Sequence, residues 1–226
     1  MPLSKALGLL GCSLKEDILE QLVEDWLVSE EGWFVKHNVK YRPSYKHVDY
    51  NSKQDSVHSD IDIMAYCPTK RGASRVAIVT CKSWQNGFKA EKWLSHLENE
   101  AEYNMPSIEF QKRERWKSFR ELVSDKWLEA FLTKVKNETG QLSFTYYIAV
   151  TKLSGRNPAH YRVQLENSEV IRKRFIRHGA NINFKVITLE EIIEIIKNRM
   201  QAKETPVLEA TNIGRLLQLL NAAGLQ

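Results

Sequence analysis

Two carboxylates interrupt an apolar stretch at residues 58–66, HSDIDIMAY. A strand sends alternate side chains to opposite faces, so Asp60 and Asp62 share a face with Met64 and Tyr66, while Ile61, Ile63 and Ala65 take the other. Two chemistries fit that pattern: a half-exposed edge strand with a wet face, or a pair of hard oxygen donors for a metal ion. A little further on, RVAIVTCK (75–82) is β-branched and apolar until its last residue. Thr80 and Lys82 share one face of it, and Val79 and Cys81 the other. The connection PTKRGAS (68–74) carries Pro and Gly and predicts a turn, hence an antiparallel hairpin. That hairpin brings Asp60 and Asp62 onto the same sheet face as Thr80 and Lys82. A lysine that closes a strand is ordinary by itself. Beside two aspartates on the neighbouring strand it makes a charged cluster.

The elements around this hairpin can be read from periodicity. Residues 13–31 predict a helix with Ser13 as N-cap and Glu16 at capping-box spacing. Ile18, Leu19, Leu22, Val23, Trp26 and Leu27 form its apolar stripe, and Gly32 ends it. WFVKHNVKYR (33–42) alternates, with Trp33, Val35, Val39 and Tyr41 on one face and Lys36, Asn38, Lys40 and Arg42 on the other. Pro43 closes that strand. Residues 44–57 are polar and patternless, a loop. From residue 88 to about 137 the chain is helical in character, broken at Pro106. SFTYYIAVT (143–151) reads as a buried strand and 165–179 as a helix with a glycine stop. NFKVIT (183–188) is a further strand, and LEEIIEIIKNRM (189–200) an amphipathic helix. Two parts result: a domain over 1–202, and a linker with an amphipathic helix over 203–226. In the tail, Ile213, Leu216, Leu217 and Leu220 fall at helical spacing. A helix this short is not stable alone, so it packs on the domain or on a partner, and a homodimer contact is one expected use.

Composition sets broad limits. The chain has 226 residues, 42% hydrophobic and 27% charged, with a formal net charge of +5. That is an ordinary globular balance, and the basic excess is compatible with a phosphate-rich partner without requiring one. Cys12, Cys67 and Cys81 make no CxxC or Cys/His pattern, which argues against a zinc site and a disulfide framework. A reducing, cytoplasmic setting is expected. The opening MPLSKALGLLGC resembles a lipoprotein signal ending in Cys12, but its apolar run is shorter than the ~7–15 residues of a signal core. It is expected to pack on the body. No stretch approaches the ~18 apolar residues of a membrane span, so no membrane partner is expected.

DIDIMA followed by AIVTCKSW resembles the core of the PD-(D/E)xK nuclease superfamily. In that family an acidic residue on one strand is followed, after a turn, by acid–any–lysine on the next. Asp62 matches the lone aspartate and Lys82 the lysine. Upstream, EQLVEDWLVSEEGWFVKHNVKYR resembles the helix–Gly–aromatic–strand opening of Holliday-junction-resolvase-like and Mrr-type members. In those a glutamate early in the helix reaches the metal, and Glu20 is the best match, with Glu16 and Glu24 as near rivals. The resemblance spans roughly residues 13–90, and the strand at 143–151 fits the family's α-β-β-β-α-β core. It implies an α/β, restriction-endonuclease-like fold: a central mixed sheet flanked by helices, with an extra helical insertion at about 88–138. One position departs. Where the family carries Glu or Asp two residues before the lysine, this chain carries Thr80, a neutral hydroxyl and a weaker ligand for a hard cation.

The resemblance implies Mg²⁺, with Mn²⁺ as substitute, held by Asp62 as anchor with Glu20 and the carbonyl of Cys81; Asp60 is either a second ligand that replaces the acid missing at Thr80 or the polar start of the strand. Lys82 would polarise the attacking water and stabilise charge beside the phosphoryl group. Gln85 either orients water or phosphate or simply faces solvent. Two basic stretches interleave arginines with aromatics: Lys112, Arg113 and Arg115 with Lys117 and Arg120, and Arg172, Lys173, Arg174 and Arg177. Each is either a solvated helix face or a set of phosphate contacts. In the first, Glu114 and Glu121 temper the charge and suit i,i+4 pairing on a surface helix. Lys70 and Arg71 at the hairpin turn rank third. Trp84 either stacks on a base or packs in the core. The implied function is a metal-dependent DNA endonuclease, restriction- or resolvase-like. The alternative is a catalytically weakened module of the same fold that binds DNA or protein.

Overall fold

The computed structural model describes residues 17–30, 32–98, 117–201 and 211–224. Five strands line up in chain order: β1 (Phe34–Tyr41), β2 (Ser59–Tyr66), β3 (Val76–Lys82), β4 (Ser143–Val150) and β5 (Asn181–Thr188). β1, β2 and β3 pair antiparallel, and β3, β4 and β5 pair parallel. Parallel neighbours need long crossovers, and the chain supplies them as helices. α1 (Ile18–Ser29) precedes the sheet, and a single turn, α2 (Ser52–Asp55), precedes β2. Between β3 and β4 lie α3 (Ala90–Glu98), α4 (Arg120–Val123) and α5 (Asp125–Thr139). α6 (Pro158–Glu166) and α7 (Glu169–Arg177) lead to β5, and α8 (Leu189–Gln201) and α9 (Asn212–Ala222) follow it. The protein is therefore α/β, with a five-stranded mixed sheet flanked by helices.

Two cores lie on the two faces of the sheet. In one, Leu19, Leu22, Val23, Trp26 and Leu27 of α1 meet Ile63, Ala65, Ala77 and Val79 of the hairpin and Ile192 and Ile196 of α8. In the other, Met64, Val76, Ile78, Tyr146 and Ile148 meet Trp127, Leu128 and Phe131 of α5 and Phe175 of α7. Burial on both faces explains why β3 reads as an unbroken apolar run.

The expected alternation along β1 and β2 fails at one place. Ile61 lies in the same core as Met64, whereas Ile63 lies in the opposite one. On β1, Val39 and Tyr41 likewise join the core that Val35 does not face. The pairing itself keeps register, from Phe34 with Tyr66 to Tyr41 with Ser59, but skips the Asn38–Asp62 position. Asn38 is left-handed there, with φ 51°, a conformation that Asn tolerates better than most residues. Both strands thus change face at Asp62. Asp60, Asp62, Met64 and Tyr66 do not share one flat face, and neither do Trp33, Val35, Val39 and Tyr41.

Other boundaries also shift. α1 is capped by Asp17, whose carboxylate accepts from the Leu19 amide at 2.9 Å; Ser13, Glu16 and Cys12 lie outside the described residues. The single helix expected at 165–179 is two, because Pro158 starts one early and the chain breaks at Asn167–Ser168 before the other. The loop expected at 44–57 contains α2, capped by Asn51. Pro106 lies outside the described residues; of the linker expected at 201–206, Gln201 ends α8 and the rest lies outside them.

The tail folds back on its own domain. Buried Asp25 of α1 accepts from the Thr211 amide at 2.7 Å and from its hydroxyl at 2.8 Å, and Thr211 in turn caps α9. Ile213 and Leu217 pack against the α1–α8 core, while Leu216, Leu219 and Leu220 stay exposed. Half of the leucine stripe therefore has cover within the chain.

Beyond β3 the backbone turns through Gly87, at φ +76°, into a short bridge between Phe88 and Leu153. A Cβ on Gly87 would stand 3.0 Å from the Lys152 carbonyl and from Ser154 Cβ. Gly87→Ala is expected to cost about 2 kcal/mol, from positive φ and contact together. The denaturation midpoint measures it.

Candidate active site at the end of the third strand

α1 is fastened to the end of β3 by one residue. Asp17 caps the helix with Oδ1 and accepts from the Ser83 hydroxyl with Oδ2 at 2.5 Å. This holds the first turn of α1, and with it Glu20, beside the middle of β2 and the end of β3. Asp62 is 8% exposed there. Its Oδ2 accepts from the Cys81 amide at 2.6 Å and lies 3.6 Å from Lys82 Nζ. A buried carboxylate held by an amide and an ammonium is fixed in place.

The electrostatics are those of crowded acids around one cation. Burial first, then the charges of Asp62, Asp17 and Asp60, push the Glu20 carboxyl up to about 7, against the opposing pull of Lys82. Burial also raises Asp62, helped by Asp60 and Glu121, while Lys82 and the Cys81 amide oppose it. Asp60 itself is exposed and pairs with Lys40 in the ladder. Burial, Asp62 and Glu20 together push the Cys81 thiol well up, which keeps it a neutral, inert side chain.

An unfolded Glu20 ionises at its ordinary value, 4.5, but the folded one near 7. Between those values the folded protein binds the extra proton, so Glu20 costs stability as pH rises through the window. Glu20→Gln is expected to match wild type near pH 4 and to melt higher at pH 8. Glu20 is only partly buried, so solvent screening limits the gain to about 1 kcal/mol. Thermal melts across pH read it directly.

A second acid was hidden from periodicity. Glu121, on α4, is 3% exposed and does not lie on a surface helix face. Tyr41 donates to its Oε2 at 2.8 Å and Tyr146 to its Oε1. Tyr146 also meets Thr80 Oγ1 at 3.2 Å. Local sequence carries no signal for this: the two tyrosine partners come from β1 and β4, and Glu121 sits in a run of alternating charges.

The other expected residues fall as follows. Gln85 is exposed in the turn after β3. Trp84 stacks on Phe88 and Trp93, at 6.1 and 5.9 Å between ring centroids, so it packs rather than stands free for a base. Lys82 also lies 5.8 Å from the centre of the Phe119 ring. Lys112, Arg113 and Arg115 lie outside the described residues. On α7, Arg174 is buried against Asp125 at 3.1 Å, and Arg177 reaches the same carboxylate at 3.1 Å. Arg172 pairs with Glu169 at 2.9 Å and, like Lys173 and Arg177, stays exposed. Lys70 pairs with Glu30 at 2.5 Å and covers the Trp33 ring. Arg120 lies over Trp127 at 4.5 Å.

The donor set suits a hard divalent cation. Asp62 and Glu20 bring carboxyl oxygens near the Lys82 ammonium, and a cation would relieve the repulsion that adds to burial in raising Glu20. No three His, Cys, Asp or Glu side chains converge into a ready ligand set among the described residues, so water would complete the shell, as Mg²⁺ prefers. Among the described residues no helix is long and apolar enough to cross a membrane. Comparison with models of known protein families, with curated proteins and with solved structures finds no match for this chain.

Proposed function

We propose that this protein is a divalent-metal-dependent endonuclease that hydrolyses DNA phosphodiester bonds. The observation that carries the reading is the Asp62–Lys82 pair, a buried carboxylate 3.6 Å from a half-buried ammonium at the end of β3, with Glu20 coupled to both by charge. The order of elements supports it: a helix, three antiparallel strands, helices and a parallel strand, as in the α-β-β-β-α-β core that the DIDIMA and AIVTCKSW motifs resemble.

Asp62 and Glu20 would hold the ion, with Asp60, Thr80 Oγ1 and the Cys81 carbonyl as further oxygens. When bound, such an ion lowers the pKa of a coordinated water and offsets charge on the phosphoryl oxygens. Lys82 keeps its ammonium beside Asp62, where it can donate to the attacking water and to a phosphate oxygen. The Cys81 amide fixes the carboxylate plane of Asp62, so the ligand does not rotate as substrate arrives. Lys173, exposed on α7, would add a phosphate contact, and cytoplasmic residence fits such a role.

A binding module of the same fold is the second reading, favoured by the neutral Thr80 where an acid is expected. Incubation of supercoiled and branched DNA with Mg²⁺ or Mn²⁺ separates the two. Nicking that requires the ion supports the nuclease. Salt-sensitive DNA binding with no cleavage under either metal selects the module.

A further inference from the structure

The hydrogen bonds behind Thr80 fix the direction of its proton. Glu121 accepts on both oxygens, from Tyr41 and from Tyr146. A phenol has one hydrogen, so Tyr146, having given it to Glu121, can only accept from Thr80 across their 3.2 Å contact. Thr80 is thereby the donor, and its single hydrogen is spent on Tyr146. What remains on Thr80 Oγ1 is lone pairs. Hydrogen bonds in a chain polarise one another, so the charge of Glu121 enriches that oxygen. Thr80 follows Val79, the ladder partner of Ile63, and so stands across the hairpin from Asp62.

We propose that Glu121 and Tyr146 are positioning residues that make Thr80 Oγ1 an acceptor-only, charge-enriched oxygen for the cation held by Asp62. The acid absent from position 80 is thus supplied from α4, one hydrogen-bonded chain further back. This rests on the metal-dependent reading above. Tyr41 serves as an internal control: it holds the same carboxylate but has no contact with Thr80 in the chain.

The test is calorimetric titration of Mn²⁺ alone into the full chain, without DNA. Thr80→Val and Tyr146→Phe are each expected to weaken Mn²⁺ binding about tenfold or more, the usual effect of losing an outer-shell partner. The double variant should bind no worse than the weaker single one, because both break the same chain. Thr80→Ser should restore wild-type affinity, and Tyr41→Phe should stay within about twofold even though it lowers the melting temperature. Unchanged Mn²⁺ affinity in Thr80→Val, with binding still abolished by Asp62→Ala, overturns this inference and leaves the nuclease reading standing. Mn²⁺ binding that is absent from wild type, or indifferent to Asp62→Ala, overturns both. Should Tyr146→Phe not fold, the Val and Ser variants at position 80 decide alone.

Discussion

Asp62→Ala is expected to lower metal-dependent DNA cleavage by at least about a thousandfold, since an ion's charge stabilisation is worth several kcal/mol and each 1.36 kcal/mol is tenfold. Lys82→Ala should cost about 10²–10³-fold, the loss typical of one donor aimed at developing charge. The alanine at 62 also orphans the Cys81 amide, which the carboxylate accepts at 2.6 Å, so some loss of stability accompanies it. Asp62→Asn separates the two effects. Its amide oxygen can still accept from Cys81, so the fold should hold while cleavage stays low for want of charge. Equal nicking by wild type, Asp62→Asn and Lys82→Ala, in matched Mn²⁺, would remove this pair from the chemistry.

The largest effect on stability is expected far from the site, at Asp55. It is 1% exposed and accepts from Lys126 Nζ at 2.7 Å, from Trp127 Nε1 at 3.2 Å and from the Asn51 amide at 2.7 Å. These bonds tie the 44–57 segment to the start of α5. Asp55→Ala leaves a mostly buried ammonium and an indole N–H without their acceptor, and breaking a buried pair from one side costs about 3–5 kcal/mol. Lys126 also reaches the Asp49 carbonyl at 3.0 Å, which places the loss toward the lower end. Urea denaturation should show a clear fall in midpoint at unchanged slope. A midpoint within error of wild type would mean that the segment is held by its apolar contacts instead.

Much of the sheet was legible because its pattern is local. The apolar runs at 59–66, 76–82 and 143–150 mark strands whatever surrounds them, and a short turn rich in Pro and Gly makes a hairpin of the first two. Asp62 and Lys82 stood out for the same reason: charges inside or ending an apolar run. Glu121 did not, since its burial depends on two tyrosines more than twenty residues away in the chain. Asp55 hid in a polar segment, where a buried acid looks like any other. The basic run on α7 was misleading in the opposite sense. Sequence shows four cations, but only the fold brings Asp125 against two of them. Asn38 also gave no warning, because a left-handed residue in mid-strand preserves the spacing of its neighbours while reversing their faces.

That reversal has a mechanical meaning. β1 and β2 each deliver side chains to both layers, Ile61 and Val39 to one, Ile63 and Val35 to the other. Neither helical layer can peel away without unseating the same two strands. The fold is stitched through its sheet at one crossing point, and Asp62 occupies it.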